Sequence, residues 1–315
     1  KLMKVIITGA NGQLGWELQQ IKSDEISVHA FNSSQLNITD LEQAQTIISD
    51  IKPDYIINAA AYTAVDKAES NSQDAFDVNK KGVENLAIIC KKINAKLIHV
   101  STDFVFDGSK NTSYKVTDTP TPLGVYGESK LQGENIIRAV LPNSSCIIRT
   151  AWVYSAHGNN FVKTMLRLME EKNELSVVCD QVGTPTWAKG LAEAIWQLVL
   201  RPNSELPPLL HWTDNGVTSW YDFAVSIQEL ALEKGLITKN IPISAIPSSD
   251  YPTPAKRPSF SVLDKTEVEK ILGNSLEKLG HPQIVPIFIG ITLGVILGSW
   301  PFFVPGIPSG IKLGL

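Results

Sequence analysis

Cysteine is scarce in this sequence: Cys90, Cys146 and Cys179 are the only three, set far apart and in no Cys-x-x-Cys spacing. That excludes a disulfide framework and a cysteine-built zinc site, and it fits a reducing, cytoplasmic environment. The five histidines contain no pair four residues apart, so no metal site is expected. Positive charge is not in excess either, since 28 Lys and Arg stand against 32 Asp and Glu for a net charge of −4. A chain without a basic field has no electrostatic means of holding nucleic acid. No secretory pattern is read at Lys1-Leu2-Met3-Lys4, which runs straight into an apolar strand, and Met3 is taken as the native start. Charge is missing altogether from Pro282 to Ile311. Within that stretch Ile284–Val304 matches the ~20 apolar residues that cross a bilayer.

What the chain has instead is a regular alternation of short β-branched runs and longer helical patterns. Val5–Thr8 reads as a buried strand and Gln13–Lys22 as a helix, and Ile26–Phe31 with Asp40–Ile51 repeats the pair. Tyr55–Asn58 is a third strand, followed by one long helix over Ser70–Ile93. Lys96–Ser101, a helix over Gly124–Val140 and a strand at Cys146–Thr150 complete this half. Parallel strands need crossover helices, and strands that are apolar throughout need cover on both faces. The pattern predicts an α/β fold, a doubly wound parallel sheet of the Rossmann type over residues 3–150. After Thr150 the regularity weakens. Helices are expected over Asn160–Glu171, Ala188–Leu200 and Ser219–Glu233, while Ile241–Pro258, with five prolines, is irregular. Residues 151–273 read as a smaller substrate-binding region interleaved with the last strands of the sheet.

Thr8-Gly9-Ala10-Asn11-Gly12-Gln13-Leu14-Gly15 spaces glycines three apart between a strand and a helix. Gly9 permits the tight turn, Gly12 lets backbone approach a pyrophosphate, and Gly15 lets the helix pack on the strand. The helix start offers unpaired N–H groups to phosphate oxygens. The small run Ala59-Ala60-Ala61 at the end of the third strand leaves similar room for a cofactor beside this loop. An acid at the end of the second strand would bind the adenosine ribose, and an arginine there would favour the extra phosphate of NADP. Phe31-Asn32-Ser33-Ser34-Gln35 contains neither, so NAD versus NADP stays open.

Tyr126 and Lys130 stand four apart, on one face of the helix after the fourth strand. An unperturbed tyrosine, with a pKa of about 10, is a weak proton donor near neutrality. A neighbouring ammonium is expected to lower that value by stabilising the phenolate. Thr102, at the carboxyl end of the fourth strand, is placed to bond the carbonyl oxygen that Tyr126 protonates. This combination of helix pair, strand-end hydroxyl and glycine loop belongs to reductive carbonyl chemistry with a nicotinamide.

The sequence around these residues resembles the dTDP-4-dehydrorhamnose reductase family of extended short-chain dehydrogenases. The likeness is carried by INAAAYTAVDKAES at Ile57–Ser70, STDFVFDG at Ser101–Gly108, PLGVYGESKLQGE at Pro122–Glu134 and IRTAWVY at Ile148–Tyr154. It continues through GNNFVKTML at Gly158–Leu166, DQVGTPT at Asp180–Thr186 and YPTPAKRP at Tyr251–Pro258. The resemblance implies reduction of the C4 keto group of a dTDP-4-dehydro-6-deoxy sugar by NADPH or NADH. It implies Tyr126 as proton donor, Lys130 as the group that tunes it and orients the nicotinamide ribose, and Thr102 as an aid at the carbonyl. Asp103 and Trp152 match positions that contact the sugar nucleotide, and Arg257 is a candidate for its pyrophosphate.

Three departures from the family pattern bear on the reading. Phe104 replaces the tyrosine usual after the Ser-Thr-Asp triplet, and a sugar-nucleotide 4,6-dehydratase would need an acid there, so reduction is favoured over elimination. A 4-epimerase or a non-catalytic dinucleotide-binding subunit would share the same fold, and the intact Thr102, Tyr126 and Lys130 speak against the second. Glu17 matches one glutamate of a magnesium-linked dimer described in the family, but Lys189 stands where a second acid is expected. No magnesium is therefore predicted, and a homodimer by other contacts stays open. The family normally ends in a short charged helix, whereas residues 281–315 form an anomalous apolar tail. A membrane anchor is one reading of it. A transporter-like sequence joined on by a frameshift or a gene-assembly error is preferred, because reduction of a cytosolic nucleotide sugar needs no anchor.

Overall fold

A computed structural model describes residues 2–201 and 205–272 of the chain; the apolar tail lies outside them. The first half runs β1 (Met3–Thr8), α1 (Gln13–Gln20), β2 (Ile26–Phe31), α2 (Leu41–Ile51), β3 (Tyr55–Asn58) and α3 (Val65–Ala68). It continues through α4 (Ser72–Phe76), α5 (Val83–Ile93), β4 (Lys96–Thr102), α6 (Val125–Val140) and β5 (Ser145–Thr150). The second half holds β6 (Val153–Tyr154), α7 (Phe161–Glu171), β7 (Leu175–Val178), β8 (Val182–Gly183), β9 (Thr186–Trp187) and α8 (Ala188–Leu200). After it come β10 (Leu209–His211), β11 (Thr218–Ser219), α9 (Trp220–Glu233), β12 (Ile243–Ile246) and α10 (Thr266–Leu272).

Six strands form one sheet in the order β10-β5-β4-β3-β1-β2, every pair parallel. Alternate residues of each strand feed opposite faces, which explains why the runs are apolar throughout. Val5, Ile7, Ile57, Ile98 and Ile148 pack with α1 and α8. Ile6, Ile56, Leu97 and Ile147 pack with α2, α5 and α6. The chain leaves β1 toward β2 on one side and returns to β3 on the other. The carboxyl ends of β1 and β3 therefore flank a crevice, where ligands of such sheets bind. Strand β10 returns from the second half to pair with β5, and α8 packs against α1, where Trp196 donates to the Leu18 carbonyl at 3.0 Å. The remainder of the second half has its own core, in which Met165 and Met169 of α7 meet Phe223 and Ile227 of α9.

The helix expected over Ser70–Ile93 is not uniform. Between α4 and α5 the backbone widens into a π-helical turn over Asp77–Gly82. The widening carries the Asn79 carbonyl up to α6, where a Cβ on Gly133 would come within 2.3 Å of it. The Asn79 side chain then accepts from Tyr62 N–H at 2.9 Å and donates to the Tyr62 carbonyl and the Ser129 hydroxyl, both at 3.0 Å. Apolar periodicity does not reveal such a turn, because one inserted residue leaves the buried face intact.

Beneath the sheet's carboxyl end a buried ion pair joins α6 to β5. Glu134, with no exposed surface, accepts two bonds from Arg149 at 2.9 and 2.7 Å and one from the Ser101 hydroxyl at 2.6 Å. Arg138 reaches the same carboxylate from the solvent side at 3.0 Å. Arg149→Met would leave a buried carboxylate short of its main partner and is expected to cost about 3–5 kcal/mol of stability. Arg138→Met, at a part-exposed position, should cost ~1 kcal/mol or less. Urea unfolding of the two variants checks this ordering, and equal losses would refute it.

Candidate active site

The glycine loop closes around three backbone segments. Gly9 has φ +73°, and a Cβ there would lie 2.7 Å from the Ala59 carbonyl group and the Ala60 nitrogen. On Gly15 a Cβ would lie 2.1 Å from the Gly9 carbonyl oxygen. Gly12 is less crowded, with only that oxygen nearby at 3.3 Å, and it caps α1 without any side-chain bond. The first N–H groups of α1 thus face the crevice without a side-chain cap, as an anion requires. Leu14 turns into the core, so any contact it makes with a phosphate is through its N–H. Gln13 and Asn11 reach across to the second half: Asn160 donates to Gln13 Oε1 at 3.0 Å, and His157 Nε2 lies 3.0 Å from the Asn11 carbonyl. A cavity of about 410 Å³ is lined by Gly9, Asn11, Gly12, Ala59–Ala61 and the Asn32–Ser34 turn. A larger hollow, near Pro53, Tyr55 and Lys96, opens at the amino ends of the strands, away from this chemistry. The glycine cradle and the neutral polar turn fit a dinucleotide.

Tyr126, Thr102 and Lys130 come together at the carboxyl end of β4. Tyr126 is 9% exposed, and burial pushes its hydroxyl up to about 12, with the Thr102 hydroxyl drawing it down and Asp103 adding to the rise. Lys130, 2% exposed, donates to the Val100 carbonyl at 2.6 Å, and burial lowers its ammonium to about 8 while Glu134 draws it up. Desolvation of the phenolate dominates, and the ammonium is engaged with strand backbone. Near neutrality Tyr126 is therefore a neutral phenol.

Asp103 follows Thr102 into a 3-10 turn and accepts the Thr102 hydroxyl at 3.1 Å. Burial raises its carboxyl to about 6 against the pull of the Ser261 and Thr102 hydroxyls. Phe104 lies edge-on to Tyr126 with centroids 5.4 Å apart, an apolar wall where a hydroxyl would otherwise stand. Trp152 sits just past β5, in contact with Gly183 and Trp220. Arg257 is occupied: its guanidinium meets Asp66 on two bonds, at 3.0 and 2.7 Å, and also bonds Thr253 and the Ala255 carbonyl. Glu17 is buried and accepts the Ser155 hydroxyl at 2.6 Å; burial raises its pKa, and Lys189 is among the groups that lower it.

The family model described as the RmlD substrate binding domain matches residues 3–280. A dTDP-4-dehydrorhamnose reductase of Aggregatibacter actinomycetemcomitans is 42% identical over 278 residues, 86% of this chain and 94% of that protein. The chain belongs to the dTDP-4-dehydrorhamnose reductase family. The reductase of Clostridium acetobutylicum superposes with a TM-score of 0.83 at 38% identity, covering 93% of this chain and all of that one. The Bacillus anthracis reductase, solved in complex with NADP, gives 0.79 at 34% identity, covering 94% and 99%.

Sequence reasoning missed the polar supports of this family site. Thr8 donates to Asn58 at 2.6 Å, and Asn58 also accepts Ala60 N–H at 3.2 Å and lies 2.9 Å from His99 Nδ1, tying three strand ends together. Asn79, Glu134 and Asp66 were equally silent, because each meets its partner across 15 residues or more. A lysine whose charge is opposed by burial has a lower pKa folded than unfolded, so the unfolded chain holds its proton longer. Lys130 therefore adds stability as pH rises from about 8 toward its ordinary value, and nothing below that window. Wild type is expected to gain on Lys130→Met between about pH 8 and 10.5 in urea titrations, and a constant difference would contradict it.

Proposed function

We propose that this chain reduces the C4 keto group of dTDP-4-dehydro-6-deoxy-L-mannose (dTDP-4-dehydrorhamnose) to dTDP-L-rhamnose with NADPH or NADH. The observation that carries the mechanism is the buried Tyr126 hydroxyl beside Thr102, one helical turn from Lys130. The residues that would hold the dinucleotide are Gly9, Asn11, Gly12, Gln13, Leu14 and Gly15, with Ala59–Ala61 opposite and Lys130 at the nicotinamide ribose. Bound there, the reduced nicotinamide supplies the hydride.

As the keto oxygen gains negative charge, the Tyr126 hydroxyl donates its proton to that atom, and the Thr102 hydroxyl bonds the same oxygen. A sugar alkoxide is more basic than a phenolate, so the transfer runs downhill despite the raised pKa. Lys130, charged at neutral pH, stabilises the phenolate left behind once substrate has excluded water. Asp103, Trp152 and Arg257 are read as contacts to the sugar nucleotide, with Arg257 exchanging Asp66 for the pyrophosphate. Residues 151–273 then serve mainly the substrate and residues 3–150 the cofactor. With Phe104 beside Tyr126, the site lacks the second acid that elimination of water would use. Among the described residues no helix is long and apolar enough to cross a membrane, and the proposed setting is the cytoplasm.

Tyr126→Phe should lower kcat/KM by about 10²–10⁴-fold, the contribution of a positioned acid, with NADPH affinity unchanged. The assay follows nicotinamide absorbance with the keto sugar. Full activity in that variant would disprove Tyr126 as the proton donor.

A further inference from the structure

One aromatic contact outside the catalytic group departs from what two indoles adopt on their own. Trp152 and Trp220 lie face to face, with centroids 3.5 Å apart and planes 9° from parallel. Free aromatic pairs favour offset or edge-on arrangements at about 4.5–7 Å, because full overlap sets like quadrupoles against each other. Trp152 also has φ +49°, the left-handed region that bulky side chains rarely enter. Both departures fall on one residue, just past the carboxyl end of β5, where the site is built. Such conformations persist only where the surroundings impose them, and they gather at functional sites.

The surroundings here are specific. Gly183 of β8 lies against the Trp152 indole, so closely that a Cβ on it would be 2.7 Å from Cε2 and 2.9 Å from Nε1. The Trp152 carbonyl accepts Thr186 N–H at 3.1 Å. Trp220 is held in turn by the second-half core, with Phe161 of α7 tilted against it at 4.6 Å. It begins α9, which is anchored by the Ser219 hydroxyl accepting Asp222 N–H at 3.0 Å and by Ser219 pairing with Val182. One indole thus belongs to the end of the main sheet and the other to the smaller core.

We infer that Trp220 is a positioning residue for the sugar-nucleotide site: held by α7, α9 and β11, it pins Trp152 in its left-handed conformation. The placement of the Trp152 edge toward substrate is then set by the smaller core rather than by β5. This rests on the proposed contact between Trp152 and the sugar nucleotide. Without the Trp220 face, Trp152 is free to relax to an ordinary backbone conformation and leave the cleft wall.

Trp220→Leu, Trp220→Phe and Trp152→Ala test the idea on the full chain, each shown to be folded by its thermal transition. The readouts are KM for the dTDP-keto sugar, Kd for NADPH, and the circular-dichroism exciton couplet of two stacked indoles. Trp220→Leu should lose the couplet and raise KM about tenfold, with NADPH affinity unchanged. Trp220→Phe keeps a smaller stacking face and should raise KM about threefold. Wild-type KM in either folded Trp220 variant overturns the inference, as does an equal loss of NADPH affinity, which marks general loosening. Wild-type KM in Trp152→Ala instead overturns the reading of Trp152 itself, so the two failures are distinguished.

Discussion

Where α1 meets the ends of β1 and β3, three stretches of backbone approach more closely than a methyl group allows. Gly9 takes a positive φ against the Ala59 carbonyl, and Gly15 lies directly over Gly9. The close approach lets α1 begin at the crevice with its first N–H groups uncapped. It also brings the Ala59–Ala61 run beside the loop, and that run leads into Tyr62, which packs with Tyr126. The glycine loop and α6 are in this way linked through the Ala59–Ala61 run and Tyr62, and a larger residue at either glycine would push the loop backbone apart.

Around β4, β5 and α6 the dominant constraint is electrostatic. Lys130, Glu134, Arg149 and Asp103 are each no more than 2% exposed. Burying charge on this scale is tolerable only because Glu134 and Arg149 neutralise each other and Lys130 and Asp103 are hydrogen-bonded. The same dryness raises the Tyr126 hydroxyl to about 12 and lowers the Lys130 ammonium to about 8. One environment thus acts in opposite directions on the phenol and on the ammonium. The proposed chemistry uses both.

Much of this was legible along the chain. The apolar runs named all five first-half strands, and the glycine spacing marked the tight turn from β1 to α1, because both patterns are local. Tyr126 and Lys130 were visible as a four-residue step on one helix, and Thr102 as a strand-end hydroxyl. The Asp77–Gly82 turn was hidden, since a π-turn inside a helix leaves its apolar face in place. Arg257 was assigned to a pyrophosphate by resemblance, while its bidentate partner Asp66 lies 191 positions away. Trp220 gave no sign beyond an amphipathic helix.

The order of strands and helices, the glycine-only loop and the four-residue step from Tyr126 to Lys130 on one helix are properties of the sequence itself, written in periodicities of two and 3.6 and in residues without a Cβ. The raised pKa of Tyr126, the lowered pKa of Lys130 and the locking of Trp152 by Trp220 came only with the tertiary structure. Each depends on how completely distant segments exclude water or close around one side chain, and neighbours in sequence do not specify that.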